Sequence, residues 1–147
     1  MKRELIVAAI MVTILFITSA CSLVFGASLP KEASIQVTDD EFMGNNHITK
    51  VIEVPDGGVL TVTLGSNPAT GFNWMRAPRI ENEAILQQTE NKLLLPEGKG
   101  IVGSSGNQVW IFRALQKGTT TINMEYSKPW EGGEKAKWTL ELIVNVK

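Results

Sequence analysis

The run Val59-Leu60-Thr61-Val62-Thr63-Leu64 alternates apolar with polar or β-branched side chains, the period of an extended strand with one buried face. Pro55-Asp56-Gly57-Gly58 stands before it and Asn67-Pro68 after it, two chain reversals written in turn residues. The same grammar recurs outward in both directions. Upstream, residues 48–54 alternate, and residues 28–40 read as a short tether running into a first strand. Downstream, strands are predicted over 72–77, 84–92, 107–115, 119–126 and 137–146. Gln116-Lys117-Gly118 and Glu131-Gly132-Gly133 punctuate them. Helix signals are weak apart from a possible short turn around 81–86, and no internal repeat is present. Many short strands separated by turns predict an all-β sandwich or barrel.

Length and composition agree. A chain of 147 residues with 44% hydrophobic and 20% charged residues holds one domain with a real core. The net charge of −1 supplies no basic field, so nucleic acid is not an expected partner. The N-terminus differs from the rest. Lys2 and Arg3 precede an uncharged, mostly apolar run over 5–27, the pattern of an export signal or membrane anchor. Cys21, the only cysteine, follows Ile17-Thr18-Ser19-Ala20, which resembles a bacterial lipobox with Thr18 as a poor match. Lipidation at Cys21, an uncleaved anchor and cleavage near Gly26 or Ala27 all stay open. Each places the domain outside the cytoplasm, exported and either membrane-anchored or secreted. The organisation expected is a signal or anchor over 1–27, a tether and first-strand region over 28–40, and a β-sandwich domain over 41–147, monomeric. With no cysteine after Cys21, that domain relies on packing rather than disulfides.

Strand counting adds a functional inference. Successive strands reverse direction, so every second connection lies at the same end. Residues 65–71, 93–106 and 127–136 therefore share one end. They are longer and richer in Gly, Pro and aromatic residues than reversal requires, and long loops on a rigid scaffold carry binding.

Catalysis finds no constellation. His47 is the only histidine and starts a predicted strand, so a Cys–His pair is impossible in the domain and a serine triad has no elbow to use. Gly103-Ser104-Ser105-Gly106-Asn107 approaches a nucleophile elbow but ends in Asn before a strand. Gly98–Gly103 formally matches G-x-G-x-x-G, yet a strand follows instead of the helix that phosphate binding needs. No metal site and no cofactor is expected, since one histidine and scattered carboxylates do not make a ligand set.

Asn67-Pro68-Ala69-Thr70-Gly71-Phe72-Asn73-Trp74 carries more information. Asn-Pro opens a turn, and Gly71 tolerates positive φ before the next strand. Phe72 and Trp74 have strand spacing and read as core, which leaves Pro68-Ala69-Thr70 exposed and stiff. Trp130 lies between Pro129 and Glu131-Gly132-Gly133 and reads as exposed and partner-facing, whereas Trp110 and Trp138 read as core.

These segments resemble chagasin and its relatives, inhibitors of papain-like cysteine peptidases. The first loop of that family reads N-P-T-T-G-[FY]-x-W, and Asn67–Trp74 departs from it only at Ala69. Its second loop carries G-x-G-G, matched loosely by Gly103-Ser104-Ser105-Gly106, and its third R-P-W, matched by Lys128-Pro129-Trp130. The three come in the family's order over residues 50–147. The resemblance implies an immunoglobulin-like β-sandwich, not an enzyme, that binds a papain-like cysteine peptidase. By the same resemblance, the contacts are Asn67, Pro68, Ala69, Thr70, Gly71 and Phe72 in the first loop, Gly103, Ser104, Ser105 and Gly106 in the second, and Lys128, Pro129 and Trp130 in the third. The first loop would enter the cleft and the other two grip its sides. Ala69 removes a hydroxyl, Ser105 restricts a backbone position, and Lys128 lacks the planar fork of Arg. A different class using the same loops is an exported carbohydrate-binding or adhesion module, with Trp130 stacking on a sugar.

Overall fold

In β3 (Val59–Ser66), the alternation of the sequence becomes burial: Leu60, Val62 and Leu64 have no exposed surface. A computed structural model describes residues 31–96 and 105–147. Around β3 stand β1 (Glu32–Val37), α1 (Asp39–Gly44), β2 (His47–Val54), β4 (Asn73–Trp74), β5 (Arg79–Ile80), β6 (Leu86–Leu94), β7 (Gly106–Ala114), β8 (Gly118–Ser127) and β9 (Trp138–Val146). One sheet has the order β1-β3-β7-β6 and the other β2-β9-β8-β4, with β5 also paired to β8. The all-β sandwich expected from the strand pattern is formed. Its core lies between the sheets and includes Leu60, Trp74, Trp110, Phe112, Ile122, Tyr126 and Leu142. Burying each large apolar side chain stabilises by roughly 1.5–3 kcal/mol, and no disulfide assists.

Both first strands pair in parallel. β1 runs alongside β3 with Val37 opposite Leu64, and β2 alongside β9 with His47 opposite Thr139. The remaining pairings are antiparallel. β1 is thus an edge of a sheet, and the boundary drawn between residues 40 and 41 falls inside α1.

Two local expectations are corrected. The strand over 72–77 shrinks to the two residues of β4, and pairing resumes only at β5. Pro78 lies between them, and the Arg76 carbonyl accepts from Gln88 Nε2 at 2.9 Å and Trp110 Nε1 at 3.2 Å, so side chains take the place of a ladder partner. The second correction is α1 itself. Thr38 caps it: its hydroxyl accepts from the Glu41 amide while the Glu41 carboxylate accepts from the Thr38 amide, a reciprocal capping box. The segment around 81–86 forms a turn and no helix.

Segment 1–27, with Cys21, lies outside the described residues. Among the described residues no helix is long and apolar enough to cross a membrane.

Candidate functional site

The pairing registers put the three loops together. Ser66 at the end of β3 faces Gly106 at the start of β7, and Leu94 at the end of β6 faces Asn107. Ser127 at the end of β8 faces Asn73, and Trp74 Nε1 donates to the Gly65 carbonyl at 2.8 Å. All three long connections therefore leave from one pole, as strand counting expected. At the other pole Gly118 faces Val146, and the chain reverses tightly.

The first loop is a preformed turn. Pro68–Thr70 makes one 3₁₀ turn, with Asn67 as its cap: Asn67 Oδ1 accepts from the Ala69 amide at 3.2 Å. The Asn67 carbonyl accepts from the Thr70 amide at 3.1 Å and the Thr70 hydroxyl at 2.7 Å. Gly71 closes the turn at φ 81°, its amide donating to the Pro68 carbonyl at 3.0 Å. Below, the Tyr126 hydroxyl accepts from the Asn67 amide at 3.1 Å and sits 3.3 Å from its carbonyl. Ala69 and Thr70 are left exposed at the tip.

The third loop leans on the first. A Cβ placed on Gly71 would lie 2.8 Å from Trp130 Cη2, and one on Gly133 would lie 3.0 Å from Trp130 Nε1. The indole thus packs between two glycines of different loops, yet Trp130 remains 52% exposed. The Lys128 ammonium lies 4.9 Å from the Phe72 ring centre and 5.8 Å from that of Trp130, folded across both rings. Lys135 Nζ donates to the carbonyls of Lys128 and Trp130, which ties the loop back on itself. Pro129 is exposed beside Trp130.

Of the second loop, Gly103 and Ser104, with the G-x-G-x-x-G stretch over 98–103, lie outside the described residues. Ser105 is exposed and Gly106 is buried at the start of β7. Phe72, expected on sequence spacing to be core yet named among the contacts by resemblance, is 4% exposed. It is stacked 5.5 Å from Tyr126. Phe72 and Gly106 support the pole from beneath.

That support is an aromatic platform. Tyr126 stacks on Trp138 at 4.9 Å, Trp138 stacks on Phe42 at 5.2 Å, and Trp74 meets Trp110 edge-on at 6.4 Å. The first loop thus ends on the buried ring of Phe72, and the third runs from Tyr126 to Trp138; such ring pairs add to area burial. Tyr126 and Gly133 escaped sequence reasoning, because a hydroxyl clamp and a cross-loop contact leave no local pattern. Asp39 of α1 is held above the ordinary carboxylate range, by burial first, while a hydrogen bond with Ser105 opposes the shift and the charge of Asp40 adds to it.

His47 is exposed at the start of β2, its Nδ1 2.8 Å from Thr139 Oγ1. Among the described residues no group of His, Cys, Asp and Glu could hold a metal ion.

With this geometry in view, residues 53–144 match the family described as Chagasin family peptidase inhibitor I42. The chain belongs to the chagasin family of peptidase inhibitors. It is 32% identical to chagasin of Trypanosoma cruzi over 109 residues, which span 65% of this chain and 97% of the relative. It is 29% identical to amoebiasin-2 of Entamoeba histolytica over 102 residues, 69% of this chain and 80% of that one. The crystal structure of the cysteine protease inhibitor EhICP2 from Entamoeba histolytica superposes with a TM-score of 0.59 at 26% identity, covering 80% of this chain and 99% of the other. Family membership decides against the carbohydrate-module alternative.

Proposed function

We propose that this protein is a reversible, competitive inhibitor of papain-like cysteine peptidases. The first loop enters the cleft at the catalytic pair, and the second and third loops hold its sides. One observation carries the reading: the Asn67–Gly71 turn is already built, pinned by Tyr126 beneath and by Trp130 alongside. A loop ordered before binding loses little entropy on binding, so more of the contact energy becomes affinity. The same turn resists cleavage. A peptidase needs an extended segment with an accessible carbonyl, whereas the Asn67 and Pro68 carbonyls are engaged inside the turn. The exposed contacts are Ala69, Thr70, Ser105, Pro129 and Trp130, with Asn67, Pro68, Gly71 and Lys128 half-buried behind them.

The apolar run over 5–27 and Cys21 support export with membrane attachment. The described chain enters at the turn pole, where the Val59 amide donates to the Lys31 carbonyl at 2.8 Å. An attachment through the N-terminus would hold the loop pole away from the membrane. Loss of acyl labelling in Cys21→Ser would identify the lipid form, and a wholly soluble full-length product would rule out anchoring. The inhibitory function is tested by titrating papain with the full chain. Competitive, reversible inhibition is expected; absent inhibition, or inhibition unaffected by substrate concentration, would overturn the reading.

A further inference from the structure

A fourth connection, the one upstream of β3 between β1 and β2, also lies at the loop pole. Val37, the last residue of β1, faces Leu64 near the end of β3, and His47, the first of β2, faces Thr139 near the start of β9. The intervening segment, with α1, therefore sits beside the first loop. It is fixed there firmly for so short a helix. Phe42 is fully buried, 5.2 Å from Trp138 and 5.2 Å from Trp74, on the platform that bears the other loops. The capping box closes one end, and Glu41 accepts from Lys50 of β2 at 2.8 Å.

The next residue points the other way. Met43 is 69% exposed, although the neighbouring Asp40, Glu41, Asn45 and Asn46 are polar. Between α1 and the first loop runs a groove of about 390 Å³. Met43, Asn46 and Thr70 line it along with Lys137, over the aromatic side chains of Phe72 and Trp138. Thr70 belongs both to the tip of the first loop and to the wall of this groove. A partner that covers Thr70 thus reaches the groove as well.

We propose that α1 is a fourth contact element of the inhibitory pole: Met43 packs against the same papain-like peptidase, and an apolar side chain from the rim of its cleft seats in the groove beside Thr70. This rests on the inhibitory reading above and adds a surface to it. The aromatic floor of Phe72, Tyr126 and Trp138 accepts an apolar side chain, while Asp39, Ser105 and Lys137 add polar partners around it. The acidic residues Asp39, Asp40 and Glu41 on the first turn of α1 disfavour an anionic lipid surface as the alternative occupant. Unlike the first loop, which addresses the catalytic centre common to these enzymes, α1 would meet a variable part of the rim, and so contributes to choice among peptidases.

The test uses the full chain, papain and the variant Met43→Glu. A carboxylate in place of an exposed thioether leaves the fold intact, so the melting temperature should not change. The inhibition constant should rise about tenfold or more, the scale of losing an interface anchor. In hydroxyl-radical footprinting of the wild-type complex, labelling of Met43 should drop on addition of saturating papain. If the wild-type chain inhibits papain but Met43→Glu inhibits equally well, or Met43 labels as fast in the complex as free, α1 is not a contact. The footprint decides the matter even if Met43→Glu proves unstable. A wild-type chain that fails to inhibit papain overturns the underlying inhibitory reading instead.

Discussion

The two poles of the sandwich solve the same problem, reversing the chain, with very different amounts of material. At the turn pole, Pro55–Gly58 reverses the chain with Gly57 at φ 69°, and nothing lies within 4 Å of where its Cβ would be. At the loop pole, Gly71 has a similar φ of 81°, but its Cβ would strike the Trp130 ring at 2.8 Å. One glycine serves the backbone alone. The other serves the backbone and a contact between loops that are far apart in sequence. The lesson is that residues beyond the needs of chain reversal accumulate where the molecule presents a shaped surface, and their constraints are tertiary.

Substitution should separate the poles. The largest effect is expected from Gly71→Val. It combines a β-branched residue at positive φ with a collision against Trp130, so papain inhibition should weaken by about a hundredfold or more, ~3 kcal/mol. Unaltered inhibition would show that the turn need not hold its shape. Trp130→Ala should cost about 2 kcal/mol of binding, the hot-spot scale, with little change in melting temperature because half the ring is in solvent. A large drop in melting temperature with binding intact would make Trp130 a structural residue only. At the opposite pole, Gly57→Ala should lower stability by about 1 kcal/mol through backbone strain while leaving the inhibition constant unchanged. A change in inhibition there would erase the distinction between the poles. Among the loop-pole variants Thr70→Ala should be the mildest, about 1 kcal/mol or less of binding, since its hydroxyl donates to the Asn67 carbonyl within the loop. Calorimetric titration of each variant against papain resolves the order.

How much of this was readable follows the same division. Strands with one buried face, such as β3, β8 and β9, were legible because alternation is local. So was the shared end of the three loops, which needs only that strands alternate in direction. The parallel pairing of β1 and β2 was not legible, since alternation says nothing about the partner. α1 was not legible because a helix of 6 residues is too short to show a period, although Thr38 and Glu41 stood at capping-box spacing. β4 was drawn too long because the diversion of the Arg76 carbonyl to Trp110 and Gln88 depends on residues from other strands. Within the site, Pro68, Thr70 and Gly71 were legible as a turn. That Trp130 packs against Gly71, and that Lys128 lies across Phe72 rather than extending outward, required the fold.

The central claim is that the first loop occupies the cleft, and the peptidase's own cysteine reports on it most directly. Papain saturated with the full chain should be alkylated by iodoacetamide far more slowly than free papain, because the Pro68–Thr70 turn would cover the thiol. The rate should recover in a complex formed with Gly71→Val to the extent that the complex dissociates. Unhindered alkylation in the saturated wild-type complex would contradict cleft blocking, whatever the affinity.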